Sequence, residues 1–73
     1  MPQLPLLSGH EIVKILERFG YHVVRQWGSH VRLEAQGRRP VTVPDYGEAD
    51  RSLLRKILRD ADISPDDFIE RYQ

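Results

Sequence analysis

Arg25-Gln26-Trp27-Gly28-Ser29-His30-Val31-Arg32-Leu33 decides how the rest of this chain is read. It has the pattern of a strand ending, a tight link built on Gly28, and a second strand that opens with histidine. Side chains change face at every residue of a strand. His30, Arg32 and Glu34 therefore share one face, and Val31, Leu33 and Ala35 the other. The apolar face joins a core. The other face sets an imidazole beside a guanidinium, open to water or to a ligand.

Upstream, Tyr21, Val23 and Val24 mark residues 21–26 as strand. The adjacent valines break the alternation, and pattern alone does not say which one faces the core. Trp27-Gly28 forms the link to the next strand, residues 29–35. Downstream, Gln36-Gly37-Arg38-Arg39 has the composition of a second hairpin loop. Pro40-Val41-Thr42-Val43-Pro44 gives a short third strand with Val41 and Val43 on one face. Its two prolines suit an edge strand or strand ends.

Helical patterns flank the strands. Ser8 with Glu11 three residues on has the spacing of a capping box. Ile12, Ile15, Leu16 and Phe19 then form one apolar stripe, and Gly20 ends the helix. Residues 1–7 read as a proline-punctuated lead-in and residues 45–50 as a polar loop. Asp50 caps a second helix with Leu53, Leu54, Ile57, Leu58 and Ala61 on its apolar stripe. Ser64-Pro65-Asp66-Asp67 opens a short last helix, anchored by Phe68 and Ile69 and running to about Tyr72.

The predicted order is α-β-β-β-α with a short C-terminal helix, an α+β fold forming one domain over residues 1–73. A three-stranded antiparallel sheet can be apolar on one face only, so both helices pack on that face. The opposite face, with His30 and Arg32, stays open.

Composition narrows the function. A chain of 73 residues buries only about 60% of the surface it exposes when unfolded. Without cysteine, neither a disulfide nor a thiolate metal site can brace it. The apolar runs are far too short for a membrane span. The N-terminus lacks the basic leader and apolar segment of a signal peptide. A cytoplasmic protein is expected. The formal net charge is zero, but residues 1–39 carry six cations against three acids, and residues 40–73 carry five against eight. That asymmetry fits a basic binding face, and chance clustering on a solvated surface accounts for it equally well.

Of the three histidines, His10 and His22 read as surface residues. His30 follows a glycine-serine pair that lets a phosphate approach closely. It shares a face with Arg32, and a hairpin here can set Arg25 across from it. Imidazole beside cations is a usable proton-transfer group at a phosphate, although spacing alone favours an ordinary strand histidine. Metal ligation is not expected, because the histidines lack helical spacing and no carboxylate cluster joins them. The acidic residues of 45–50 lack the ligand pattern of a calcium loop. A serine hydrolase is disfavoured, since Ser29 and His30 face opposite ways. Phosphate-binding glycine fingerprints are absent, and no cofactor is expected. Arg38 and Arg39 at a hairpin tip suit phosphate contact, or simply a solvated turn. Trp27 suits base stacking, or cover for the hairpin.

Together these residues resemble the HicA (YcfA-like) toxin family, mRNA interferases of type II toxin–antitoxin systems. The resemblance runs through Ser8-Gly9-His10-Glu11, Phe19-Gly20-Tyr21, Val24-Arg25, Gly28-Ser29-His30, Val41-Thr42-Val43-Pro44, Leu54-Arg55-Lys56-Ile57-Leu58 and Ile63-Ser64. It implies a double-stranded-RNA-binding-domain-like fold. It also implies metal-independent mRNA cleavage with His30 as the catalytic histidine on the open sheet face. Arg25, Trp27, Gly28, Ser29, Arg32, Arg38 and Arg39 are the expected RNA contacts. The implied partners are mRNA and a HicB-like antitoxin that covers the same face. The chain is expected to be a monomer when free and a hetero-oligomer with the antitoxin. Two positions depart from the family pattern. The family often places a histidine shortly after the proline ending strand three, where this chain has Asp45-Tyr46. It usually opens the second helix with Gly-Thr-Leu, where this chain has Ser52-Leu53-Leu54. A phosphate-binding role for the absent histidine would pass to Tyr46 or to no residue. The departures leave open a non-catalytic module of the same fold that binds RNA or antitoxin.

Overall fold

The computed structural model describes residues 4–45 and 47–72. The elements run β1 (Leu7–Ser8), α1 (Gly9–Glu17), β2 (His22–Trp27), β3 (His30–Glu34), β4 (Val41–Pro44), β5 (Glu48–Ala49), α2 (Arg51–Ala61) and α3 (Pro65–Tyr72). β2, β3 and β4 form an antiparallel sheet in that order. The α-β-β-β-α order, the open sheet and the terminal helix are those predicted. β1 and β5 were not: they pair antiparallel, Leu7 opposite Ala49 and Ser8 opposite Glu48. A two-residue ladder has no periodicity, so sequence shows it only as lead-in and loop. It ties together the starts of α1 and α2.

Side-chain caps set where the helices begin. Ser8 Oγ accepts from the Glu11 amide at 3.1 Å, and Glu11 Oε1 accepts from the Ser8 amide at 3.0 Å, the reciprocal capping box. Asp50 Oδ1 accepts from the Leu53 amide at 2.8 Å, and Ser64 Oγ from the Asp67 amide at 3.1 Å. Asp62, at φ +58°, closes α2 in the left-handed conformation that usually calls for glycine.

Both long helices lie against β4 on one side of the sheet. Ile12, Ile15 and Leu16 of α1 meet Leu54, Ile57 and Leu58 of α2, Val31, Leu33, Val41 and Val43 of the sheet, and Phe68 of α3. Leu4 and Leu7 are also buried, so the lead-in belongs to the core. Arg51 Nε donates to the Leu4 carbonyl at 2.6 Å and holds it there. At the far end, the Arg71 and Arg38 guanidiniums lie 4.9 and 5.7 Å from the centre of the Phe19 ring. Arg18 and Arg71 each donate to the other's carbonyl oxygen, which locks α3 to the end of α1.

β2 is an edge strand that overhangs this core, and all six of its residues are exposed. Its pairing resolves the adjacent valines. Val23 sits opposite Leu33, but the next pair is Arg25 with Arg32, so Val24 is the extra residue of a β-bulge. Val23 and Val24 are each 43% exposed, so neither enters the core. Unbroken alternation from Val23 would put Arg25 opposite Val31, on the core side. The bulge instead moves Arg25 and Trp27 to the face of His30.

Candidate RNA-facing site on the open sheet

The site is built on the turn between β2 and β3. Trp27 pairs with His30, which leaves only Gly28 and Ser29 in the turn. Trp27 therefore ends β2 and Ser29 lies in the turn, whereas the sequence pattern puts Trp27 in the link and Ser29 in the next strand. Gly28 takes φ +58° and Ser29 does not take positive φ, which is the pattern of a type II′ turn. The Asp45 amide donates to the Ser29 carbonyl, so the turn is tied to the end of β4. Asp45 is fixed in turn by α1. A Cβ on Gly9 would lie 2.2 Å from the Pro44 carbonyl oxygen and 2.7 Å from the Asp45 Cα. Only glycine lets the helix start this close to the strand.

Partners directly opposite in an antiparallel sheet share a face. Trp27 and Pro44 flank His30, while Arg25 and Thr42 flank Arg32. The indole of Trp27 and the imidazole of His30 stack with centroids 5.7 Å apart and planes 9° apart. The Arg25 guanidinium lies 5.2 Å from the centre of the Trp27 ring. Arg32 Nη1 donates to Thr42 Oγ1 at 3.4 Å. The open face thus carries a line of arginine, indole and imidazole, with a second arginine beside it. Arg25 and Arg32 are like charges on directly opposed positions, an unfavourable pairing in an empty sheet. An anion laid between them removes that cost.

The structure brings together Arg25, Trp27, Gly28, Ser29, His30 and Arg32. It sets Arg38 and Arg39 apart, in the loop at the opposite end of β3. Arg38 is also engaged within the fold: its Nη1 donates to the carbonyls of Ala61 and Asp62 at 3.1 and 3.3 Å, capping α2. Tyr21 Oη donates to the Arg39 carbonyl at 2.7 Å and anchors that loop. Burial pushes the Tyr21 phenol up, against a smaller opposing pull from the Arg38 charge. Thr42 is on the site although the sequence reading did not single it out. Its alternation with Val41 and Val43 was the available signal. Tyr46 lies outside the described residues. Among the described residues, no group of three or more histidine or carboxylate side chains is gathered to hold a metal ion. No described helix is long and apolar enough to cross a membrane.

A family model described as the HicA toxin of bacterial toxin–antitoxin systems matches residues 9–63. The chain belongs to the HicA toxin family. A chain of a solved toxin–antitoxin complex from Streptococcus pneumoniae shares the fold, with a TM-score of 0.65 and 33% sequence identity over 85% of this chain and all of that one. No curated protein matches the sequence. The matched HicA segment begins at Gly9, where α1 meets β4, and ends at Ile63, after α2. It therefore contains the whole His30 face as well as the contact that positions it. The HicA assignment makes this chain a toxin of a toxin–antitoxin system, with an antitoxin as its partner.

Proposed function

We propose that this HicA-family toxin is an endoribonuclease that cleaves mRNA on the open sheet face, with His30 as its catalytic histidine. The observation that carries the reading is the cluster around His30: its imidazole stacked on Trp27, with Arg25 and Arg32 facing each other alongside. RNA supplies its own nucleophile in the ribose 2′-OH. The protein has to hold the phosphodiester, move protons and stabilise the charge that builds on phosphorus. Arg25 and Arg32 neutralise the phosphate. Trp27 orients the imidazole and offers a stacking surface to a base. His30 transfers a proton at the 2′-OH or at the departing 5′ oxygen. Attack by the 2′ oxygen breaks the bond from phosphorus to the 5′ oxygen. It leaves a 2′,3′-cyclic phosphate and a free 5′-OH. The residues of this chain perform these steps, so cleavage proceeds in the presence of a chelator.

A HicB-like antitoxin that covers the same face silences the toxin, which is a monomer when free and part of a hetero-oligomer when inhibited. The likeness to a chain of a solved toxin–antitoxin complex supports an antitoxin partner. The absence of a histidine after Pro44 favours a second reading, a non-catalytic module that binds RNA or antitoxin through this face.

His30→Ala tests the two. His30 is exposed, so the variant keeps its far-UV circular dichroism. It loses RNA cleavage by about 10²–10⁴-fold, the usual contribution of a positioned proton-transfer group. Cleavage at the parent rate by His30→Ala sinks the assignment. Binding of RNA by the parent without any cleavage establishes the second reading.

A further inference from the structure

A groove of about 300 Å³ runs between the exposed edge of β4 and α2. Arg32, Thr42 and Pro44 line its rim on the sheet side, and Lys56 and Asp60 of α2 line the far side. Arg32 belongs both to this groove and to the face of His30, its guanidinium reaching Thr42 on β4. The groove is therefore continuous with the open face. We propose that it seats the phosphodiester next to the scissile one on a single RNA strand, held by Lys56, with Arg32 between the two phosphates. This rests on the reading of the open face as the RNA-cleaving site.

Three features favour that occupant. The two cations, Arg32 and Lys56, face one groove from different elements, so an anion there bridges sheet and helix. The step along β3 from His30 to Arg32 spans two residues, roughly 7 Å at the rise of a strand. One RNA strand that passes His30 can therefore also reach Arg32 at the groove. Pro40 and Pro44 bracket β4 and remove backbone donors from this edge, so a protein strand cannot pair along its whole length. Asp60 repels a phosphate as it does an acidic peptide, so the phosphodiester lies toward Lys56 and Arg32, and Asp60 accepts a hydrogen bond from a ribose hydroxyl or a base amino group.

The test measures binding of a labelled, random-sequence 2′-O-methyl RNA oligonucleotide, which lacks the nucleophile and is not cleaved. Lys56 is exposed on its helix, so Lys56→Ala and Lys56→Glu fold normally. Lys56→Glu weakens binding roughly tenfold, and the slope of log affinity against log salt falls by about 0.7, one single-strand phosphate contact. Lys56→Arg retains binding. Lys14→Glu, the same charge change on α1, serves as control. An equal effect of Lys14→Glu and Lys56→Glu, with the parent binding and cleaving RNA, overturns the groove and leaves the nuclease reading intact. Loss of antitoxin binding with RNA binding unchanged makes the groove a protein contact and also overturns it. A parent that neither binds nor cleaves RNA removes the proposal together with the reading beneath it.

Discussion

The indole of Trp27 and the imidazole of His30 lie nearly parallel, 5.7 Å apart between centroids and 9° apart in plane. Trp27 is the single tryptophan of the chain. Its emission therefore reports on the open face at His30. An RNA oligonucleotide laid on this face should change that emission. The stack is worth about 0.5–1.5 kcal/mol beyond area burial. Trp27→Ala should accordingly slow cleavage about three- to tenfold through a looser imidazole, and further where a base stacks on the indole. An unchanged rate for Trp27→Ala removes it from the site.

Arg25 faces Arg32 across the open sheet, which sets stability against binding. Arg25→Gln should raise stability by about 0.2–1 kcal/mol, because directly opposed like charges are unfavourable in the free protein. The same change should weaken RNA binding and lower its salt dependence by about 0.7 in slope, one phosphate contact on a single strand. Urea unfolding and a binding titration at several salt concentrations measure both. A variant that loses stability and keeps its RNA affinity would contradict this account of the face.

Gly9 has no room for a side chain against Pro44 and Asp45. Gly9→Ala should cost about 1–3 kcal/mol, as overpacking does when a backbone has to shift. In a domain this small, Tm falls by about 4–8 °C for each kcal/mol lost. Pro44 is the strand partner of His30, so cleavage per folded molecule should fall as well. Thermal unfolding followed by circular dichroism, paired with a cleavage assay below Tm, separates the two effects.

Tyr21 makes stability depend on pH on the alkaline side. Burial raises its phenol above the ordinary value, so the folded state holds that proton more tightly than the unfolded chain does. Its contribution is complete below the unfolded value of about 10, and it is lost as pH rises through the folded value. Tyr21→Phe should cost about 1 kcal/mol near neutral pH, the net worth of the lost bond to the Arg39 carbonyl. Above pH of about 10 the variant should lose stability less steeply than the parent. Parallel urea-midpoint curves for the two proteins across that range would disprove the link.

The frame was largely legible in the residues. Capping boxes and apolar stripes are local signals, written within a few positions of one another. Ser8, Asp50 and Ser64 cap the three helices as their spacing indicates. The alternation of residues 30–34 correctly places Val31 and Leu33 in the core and leaves His30 exposed. The β1–β5 ladder was not legible, because two residues carry no period. Arg38 illustrates the same limit. As sequence, it is a basic residue at a hairpin tip. Its actual work is to cap α2, and that depends on a helix more than twenty positions further along the chain.

What the sequence by itself determined is the set of elements and the face on which His30 stands, since both follow from spacing along a single strand or helix. What only the tertiary structure decided is which residues stand with it. Arg25 and Trp27 reach the face of His30 because the bulge at Val24 shifts the alternation of β2 by one residue. Nothing local to Val23-Val24 specifies that shift. It follows from pairing with β3, where Leu33 is fixed in the core and the Gly28-Ser29 turn fixes Trp27 opposite His30. With both ends of the strand set, one residue too many lies between them, and the bulge absorbs it.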